Sequence, residues 1–254
     1  MRTNHLLGLL LLLNGLFFPR HGFSQQGSSA LSSAGPVWNN TTMAAHMNEL
    51  TNRLRNWNGK PIKISDIRGS MYYNEDFQMG KVFLGDQYYG SYLMRYNAYA
   101  DEIEAKKTEK HEVEAISKST RLSFEIGNEI YVLRSFLDTE KNLIEGYLSE
   151  LVSNGRYSLY HKKAKNFKEG KKPETSFHEP VPPQFLNSNS YYIGIGDKNP
   201  QRVKNSKKSF MELVSKEKQT EVKKFIKDNN INFKEKEDLV KLVSFVNSNE
   251  QTSF

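Results

Sequence analysis

The sequence predicts an α+β protein: an antiparallel β-rich domain, meander or sandwich, with an N-terminal helix before it and a small C-terminal helical module after it. Three observations carry this. Between Tyr88 and Ala98 the residues alternate between two faces and are rich in aromatics, as in a half-buried strand. The pairs Gly85-Asp86, Gly127-Asn128 and Asn154-Gly155 separate β-patterned runs, and two-residue turns join antiparallel neighbours. After Ser209 the apolar spacing changes to that of amphipathic helices.

In chain order, residues 1–24 read as an address. Arg2 and His5 precede an apolar run from Leu6 to Phe18, which leads to the small-residue site Gly22-Phe23-Ser24. That is the layout of a secretory signal cleaved after Ser24. A run of thirteen residues falls short of the roughly 20 that span a bilayer, so no transmembrane segment is expected after cleavage. The chain has no cysteine, which excludes an acylated lipoprotein and a disulfide-stapled fold. Stability must come from a buried core.

Residues 25–68 form a Ser/Gly/Ala-rich lead followed by one helical stripe. Met43, Met47, Leu50, Leu54 and Trp57 recur at four, three, four and three, and Asn58-Gly59 and Pro61 stop them. The stripe is narrow and packs on the sheet. Residues 69–167 are the β-domain. Leu122, Phe124 and Ile126 alternate before Gly127-Asn128, and Tyr157 to Tyr160 follow Asn154-Gly155. Thr108 to Ser119 is charged and reads as a loop or an exposed edge.

From Lys162 to Pro183 lysines give way to prolines without periodicity, which predicts an extended connector, with 168–188 as its basic, Pro-rich body. Residues 189–254 hold a short hairpin around Gly194 to Pro200 and then helices. Ser209 with Glu212 forms a capping-box pattern, and Val222, Phe225 and Ile226 make one face. Leu239, Leu242, Val243 and Val246 make another. These helices are expected to fold on each other as a semi-independent module or to dock on the sheet.

Three blocks carry a resemblance. They are Gly69 to Ala105, including Arg95-Tyr96-Asn97-Ala98-Tyr99-Ala100-Asp101-Glu102-Ile103-Glu104; Gly155-Arg156-Tyr157-Ser158-Leu159-Tyr160; and Glu221 to Lys227 running through Glu237 to Val243. With them the chain resembles uncharacterised secreted proteins common in Bacteroidota. The resemblance implies a cell-envelope address and brings no catalytic residues.

The chemistry-bearing residues point away from catalysis. His46, His111, His161 and His178 are scattered, without paired spacing, so no metal site is implied. Gly194-Ile195-Gly196 is only a fragment of a dinucleotide loop, and no cofactor is implied. Glu102 and Glu104 share a strand face, with Asp101 opposite, and neighbours on one strand read as an exposed polar face. No GxSxG elbow occurs.

The candidate surfaces are two. Tyr88, Tyr92 and Tyr96 share a face with Met94 and Ala98, which either packs as core or stacks on sugar rings. Arg95 and Asn97 point the other way, to anchor a ligand or to hold loops. The second surface is the lysine run Lys162, Lys163, Lys165, Lys168, Lys171 and Lys172. Residues 156–208 hold 12 Lys and Arg against 4 acids, so the basicity is regional. It reads as a solvated linker or as a strip for an anionic lipid or polysaccharide.

The sequence therefore predicts a non-enzymatic secreted protein of the periplasm or the periplasm-facing outer membrane, without a lipid anchor. Its partner would be an envelope or outer-membrane protein complex, which it joins as an accessory subunit. A glycan- or lipopolysaccharide-binding module is the alternative, a hydrolase with a carboxylate pair the third reading, and nucleic acid is not an expected partner. The signal predicts a mature chain that begins at Gln25 and carries no lipid. Intact-mass measurement checks this, and a retained leader or an acyl increment would refute it.

Overall fold

The computed structural model describes residues 37–39, 48–52, 64–173, 177–204 and 206–248. The expected signal and most of the first helical stripe lie outside them. Among the described residues eleven strands form one sheet: β1 (Trp38–Asn39), β2 (Gln78–Leu84), β3 (Gln87–Asn97), β4 (Glu102–Lys106), β5 (Glu114–Ile116), β6 (Leu122–Ile126), β7 (Glu129–Leu137), β8 (Leu143–Val152), β9 (Tyr157–Lys168), β10 (Gln184–Ile195) and β11 (Gln201–Arg202). The helices are α1 (48–52), α2 (Lys207–Met211), α3 (Gln219–Asp228) and α4 (Lys236–Ser248). No helix among the described residues is long and apolar enough to cross a membrane.

The expected hairpins form, and so does the α+β class. β2 and β3 meet across Gly85-Asp86, β6 and β7 across Gly127-Asn128, and β8 and β9 across the Asn154-Gly155 turn. Sheet order runs β1-β5-β4-β3-β2-β6-β7-β11-β10-β9-β8, and a further pairing joins β8 back to β7. Five strands, β7 to β11, thus close on themselves. All pairings between these strands are antiparallel except β11 on β7.

β7 is the shared wall. Side chains alternate across a strand, and each face of β7 serves a different core. Tyr131 and Leu133 join Val82, Met94, Tyr96, Ile103, Phe124 and Tyr147 in the core under β2 to β6. Val132 and Phe136 face the other way and meet Leu148, Tyr160 and Tyr192 inside the five-strand ring. Leu50 of α1 is fully buried against Ile67, Met71 and Phe185, so the described part of the first stripe does pack against the sheet.

The connector is where the structure departs most from the sequence. β9 runs through Lys162, Lys163 and Lys165 to Lys168, and β10 returns along its whole length, from Gln184 opposite Lys168 to Ile195 opposite Tyr157. The Asn/Ser-rich stretch Asn187 to Ser190 is therefore strand. Ladder hydrogen bonds decide its state, because its side chains bring little β propensity. Thr108 to Ser119 contains the short strand β5, toward the sheet edge.

The C-terminal helices dock on the sheet rather than standing apart. Phe210, Met211, Val222, Ile226, Leu239, Leu242, Val243 and Val246 share one core with Tyr157 and Leu159 of β9 and Ile193 of β10. Each such side chain, fully buried, stabilises by about 1.5–3 kcal/mol. The helix α2 is capped by Ser206, whose Oγ accepts from Ser209 N at 3.3 Å, so the cap lies three residues before the expected one.

Asn247 fastens α4 to β9. Its Oδ1 accepts from Tyr157 N at 2.9 Å and its Nδ2 donates to Tyr157 O at 2.8 Å. The amide thus stands in for a strand partner. Gly155, at φ 147°, leaves it room: a Cβ there would lie 2.4 Å from Asn247 Cγ. Asn247→Ala should cost about 1–3 kcal/mol, because it orphans a buried N–H, as read by denaturant unfolding. Deleting residues from Ser209 onward should abolish the cooperative transition altogether. A truncated chain that still unfolds cooperatively would restore the independent module.

Candidate functional site

Glu104, on β4, is fully buried, although the sequence suggested an exposed face for it and Glu102. Hydrogen bonds compensate for its lost water. Its carboxylate accepts from Arg95 Nε at 2.8 Å, Asn97 Nδ2 at 2.7 Å and the Tyr72 hydroxyl at 3.0 Å. Arg95 also donates to Tyr72 Oη at 2.7 Å and Glu75 O at 2.9 Å, and its guanidinium stacks on the rings of Tyr72 and Phe77. Burial, with the Glu104 charge next, pushes the Tyr72 hydroxyl well up. Asn97 is buried too, and its Oδ1 accepts from Tyr99 N and Ala100 N. Both residues therefore hold loops.

A cleft of about 300 Å³ opens beside this knot. Its near wall is the segment from Tyr73 to Gln78, and its far wall is Gly127-Asn128 with Glu129. Register explains the meeting: Gly80 pairs with Ile126, so the segment before β2 overhangs the β6–β7 turn. Arg95, Tyr96, Tyr131 and Lys163 complete the lining. Lys163 Nζ donates to both Glu129 oxygens at 2.6 Å, and the Tyr131 hydroxyl donates to Glu129 as well. Burial alone would raise the Glu129 pKa, but the hydrogen bonds from Lys163 and Tyr131 outweigh it and hold the carboxyl below its ordinary value. Tyr131 is pushed well up, first by burial and then by Glu129.

Three of the sequence-picked residues, Arg95, Tyr96 and Lys163, thus meet in one cleft. The others do not. Tyr92 is half-buried edge-on against Trp38 at 5.1 Å and Tyr88 is exposed, while Tyr96 touches the cleft from the core, where it is buried. A register shift opposite Val82 and Phe83 leaves Tyr89 as an extra residue in β3 and breaks the alternation that put the three tyrosines on one face. The lysine strip divides as well. Lys162 and Lys163 are neutralised by Asp101 and Glu129, each at 2.6 Å. Lys165 lies over the Tyr73 ring, while Lys168, Lys171 and Lys172 remain in solvent.

The outward face of β3-β2-β6-β7 is the second notable surface. Register puts Met79 beside Leu93, Phe83 beside Tyr88, and Lys81 beside Glu125, which in turn neighbours Ile130. Met79 is 66 % exposed, Tyr88 54 %, Ile130 45 % and Tyr89 43 %. At its centre Lys81 pairs with Glu125 at 3.2 Å, which leaves both charges compensated.

Sequence reasoning missed Tyr73, Asp76, Gln78, Asn128, Glu129 and Tyr131. The Gly127-Asn128 turn was a signal for part of the set, but nothing local joins it to residues 73–78. Comparison of the chain with protein-family models, curated proteins and solved structures returned no match. No group of three or more His, Asp or Glu residues that could hold a metal ion occurs among the described residues.

His161 gives the site region a pH dependence. Burial, reinforced by Lys163, depresses its pKa from 6.5 to about 4, and its Nε2 meets Asn189 Oδ1 at 3.2 Å. The unfolded chain takes up this proton below about 6.5, the folded chain only below about 4. Stability should therefore fall as pH drops through that window. Glu129 acts in the same direction, since its folded pKa is lowered and its contribution is lost as pH falls through that value. Unfolding midpoints measured across the window should show a shallower slope for His161→Gln than for the native chain; equal slopes would disprove the assignment.

Proposed function

We propose that the protein is a non-enzymatic binding protein of the cell envelope, an accessory subunit that docks another protein on the outward face of β3-β2-β6-β7. The observation that carries this reading is that face's composition. Met79, Phe83, Tyr88, Tyr89, Leu93 and Ile130 crowd around the neutralised Lys81–Glu125 pair. Protein interfaces are enriched in Tyr, Phe and Met and depleted of free charge at their centres, and exposed apolar patches of this kind mark interaction sites. A lipid headgroup or a nucleic acid would call for unpaired lysines there.

The titratable groups support binding over turnover. A general acid or base must hold or release a proton near the working pH. Here Glu104, Glu129 and Asp101 are each tied to a cation, and Glu104 is out of reach of any substrate. The apolar leader from Leu6 to Phe18 and the absence of cysteine support an exported, unacylated chain.

Photo-crosslinking in native envelopes tests the reading. A photoreactive residue placed at Met79 or at Tyr89 should capture one major protein partner, and one at Lys172 should not. Met79→Asp combined with Ile130→Asp should weaken co-purification of that partner by roughly tenfold or more, the loss of one buried hot-spot contact. Capture at Lys172 alone, or recovery unchanged in the double variant, would overturn it.

A further inference from the structure

We infer that the cleft between the Tyr73–Gln78 segment and the β6–β7 turn is a carbohydrate site that takes one neutral sugar ring. It is separate from the protein-docking face. The inference rests on which groups in the cleft are already committed and which are left over. Every cation lining it is committed. Arg95 bonds Glu104, Glu75 O and Tyr72, and Lys163 bonds Glu129. A phosphate or carboxylate ligand would find no uncompensated positive charge.

What is left is uncharged hydrogen-bonding capacity and one acid. Asn74 Oδ1 accepts from Asp76 N at 3.0 Å, which leaves its amide NH2 to spare. Among the described residues none hydrogen-bonds the side chains of Asp76, Gln78 or Asn128, and all three are exposed at the lip. An amide offers both donors and an acceptor, and a carboxylate accepts from two hydroxyls. That set matches a ligand whose every edge carries hydroxyl groups. Half-buried Tyr73 lines the same space and adds apolar area beside these groups, while Tyr131, 6 % exposed, closes the cleft from the core side. The volume of about 300 Å³ lies at the low end for ligand sites, suited to a single ring rather than a long chain.

The walls are preorganised, so binding loses little to ordering. Tyr73 Oη reaches Asn189 Oδ1 at 2.8 Å and Ala164 O at 3.1 Å, which fixes the near wall on β9 and β10. Tyr131 is locked to Glu129, and Glu129 to Lys163.

The test is a solution of the full mature chain applied to an array of neutral and acidic oligosaccharides, followed by calorimetry with the best neutral binder. At least one neutral sugar should bind. Asp76→Ala should weaken it by roughly tenfold or more, the loss expected for hydrogen bonds to a charged group, and Gln78→Ala and Asn128→Ala should each weaken it less. All three residues are exposed, and circular dichroism should report an unchanged fold. Combined Lys168→Ala and Lys172→Ala should leave affinity unaltered. Absence of any neutral sugar binding overturns the inference, as does affinity indifferent to Asp76 and Asn128. Binding restricted to acidic sugars and abolished by the lysine variants or by salt would assign recognition to the lysines instead. Neither result bears on crosslinking at Met79.

Discussion

The ion pair between Asp101 and Lys162 is the constraint on which the rest depends, because it fills the place where two strands part. β8 and β9 pair only from Ser149 to Val152, and beyond that β9 leaves β8 and sends Lys165 N to Ala98 O, in the β3–β4 turn, at 2.9 Å. Tyr147 N would be left without a ladder partner. Asp101 Oδ1 accepts from it at 3.2 Å, and from Tyr96 Oη at 2.7 Å and Lys162 Nζ at 2.6 Å. Asp101 adopts φ 57° to reach inward, a left-handed conformation that Asp tolerates better than most residues. Gly146 makes the space, since a Cβ there would lie 2.4 Å from Asp101 Oδ2. One short acidic side chain therefore joins the β3–β4 turn, β8 and β9.

That junction also sets the functional geometry. Because β9 is drawn toward the β3–β4 turn, Lys163 arrives opposite Glu129 and closes the floor of the cleft. The Tyr96 hydroxyl reaches Lys163 O at 3.1 Å from the same junction. Ion pairs add little net stability over apolar packing once buried, yet breaking one by removing a partner is costly, and these two are half-buried. Their effect here is positional. They fix which strand faces which, and they consume the charges that would otherwise define the cleft as an anion site.

How much of this was legible in the sequence follows from the range of the forces involved. Two-residue turns and alternation are local, and so the β2–β3, β6–β7 and β8–β9 hairpins could be read directly. The helical stripes from Val222 to Val246 were equally clear. β10 was not, because Asn187 to Ser190 lacks β-branched residues and owes its state to twelve register partners on β9. The lysines of β9 misled for a related reason. Lys162 and Lys163 look like solvated charge until Asp101 and Glu129, 61 and 34 residues away in sequence, are placed beside them. The cleft joins residues 73–78 to 126–131 through strand order, and no periodicity records strand order. A single bulged residue in β3 undid the expected tyrosine platform, since one extra residue shifts the register and inverts every later side chain.

Two surfaces on one sheet make separate demands on the same strands. β7 must present Tyr131 and Leu133 to one core and Val132 and Phe136 to another, while its first residues, Glu129 and Ile130, serve the cleft and the outward face. A strand buried on both sides has little freedom to slip, because a one-residue shift would exchange the two cores. The positions at its open end can then carry a carboxylate and an exposed isoleucine without endangering the register. Rigidity at the centre thus permits chemical variety at the rim, and the cleft and the outward face both lie at that rim.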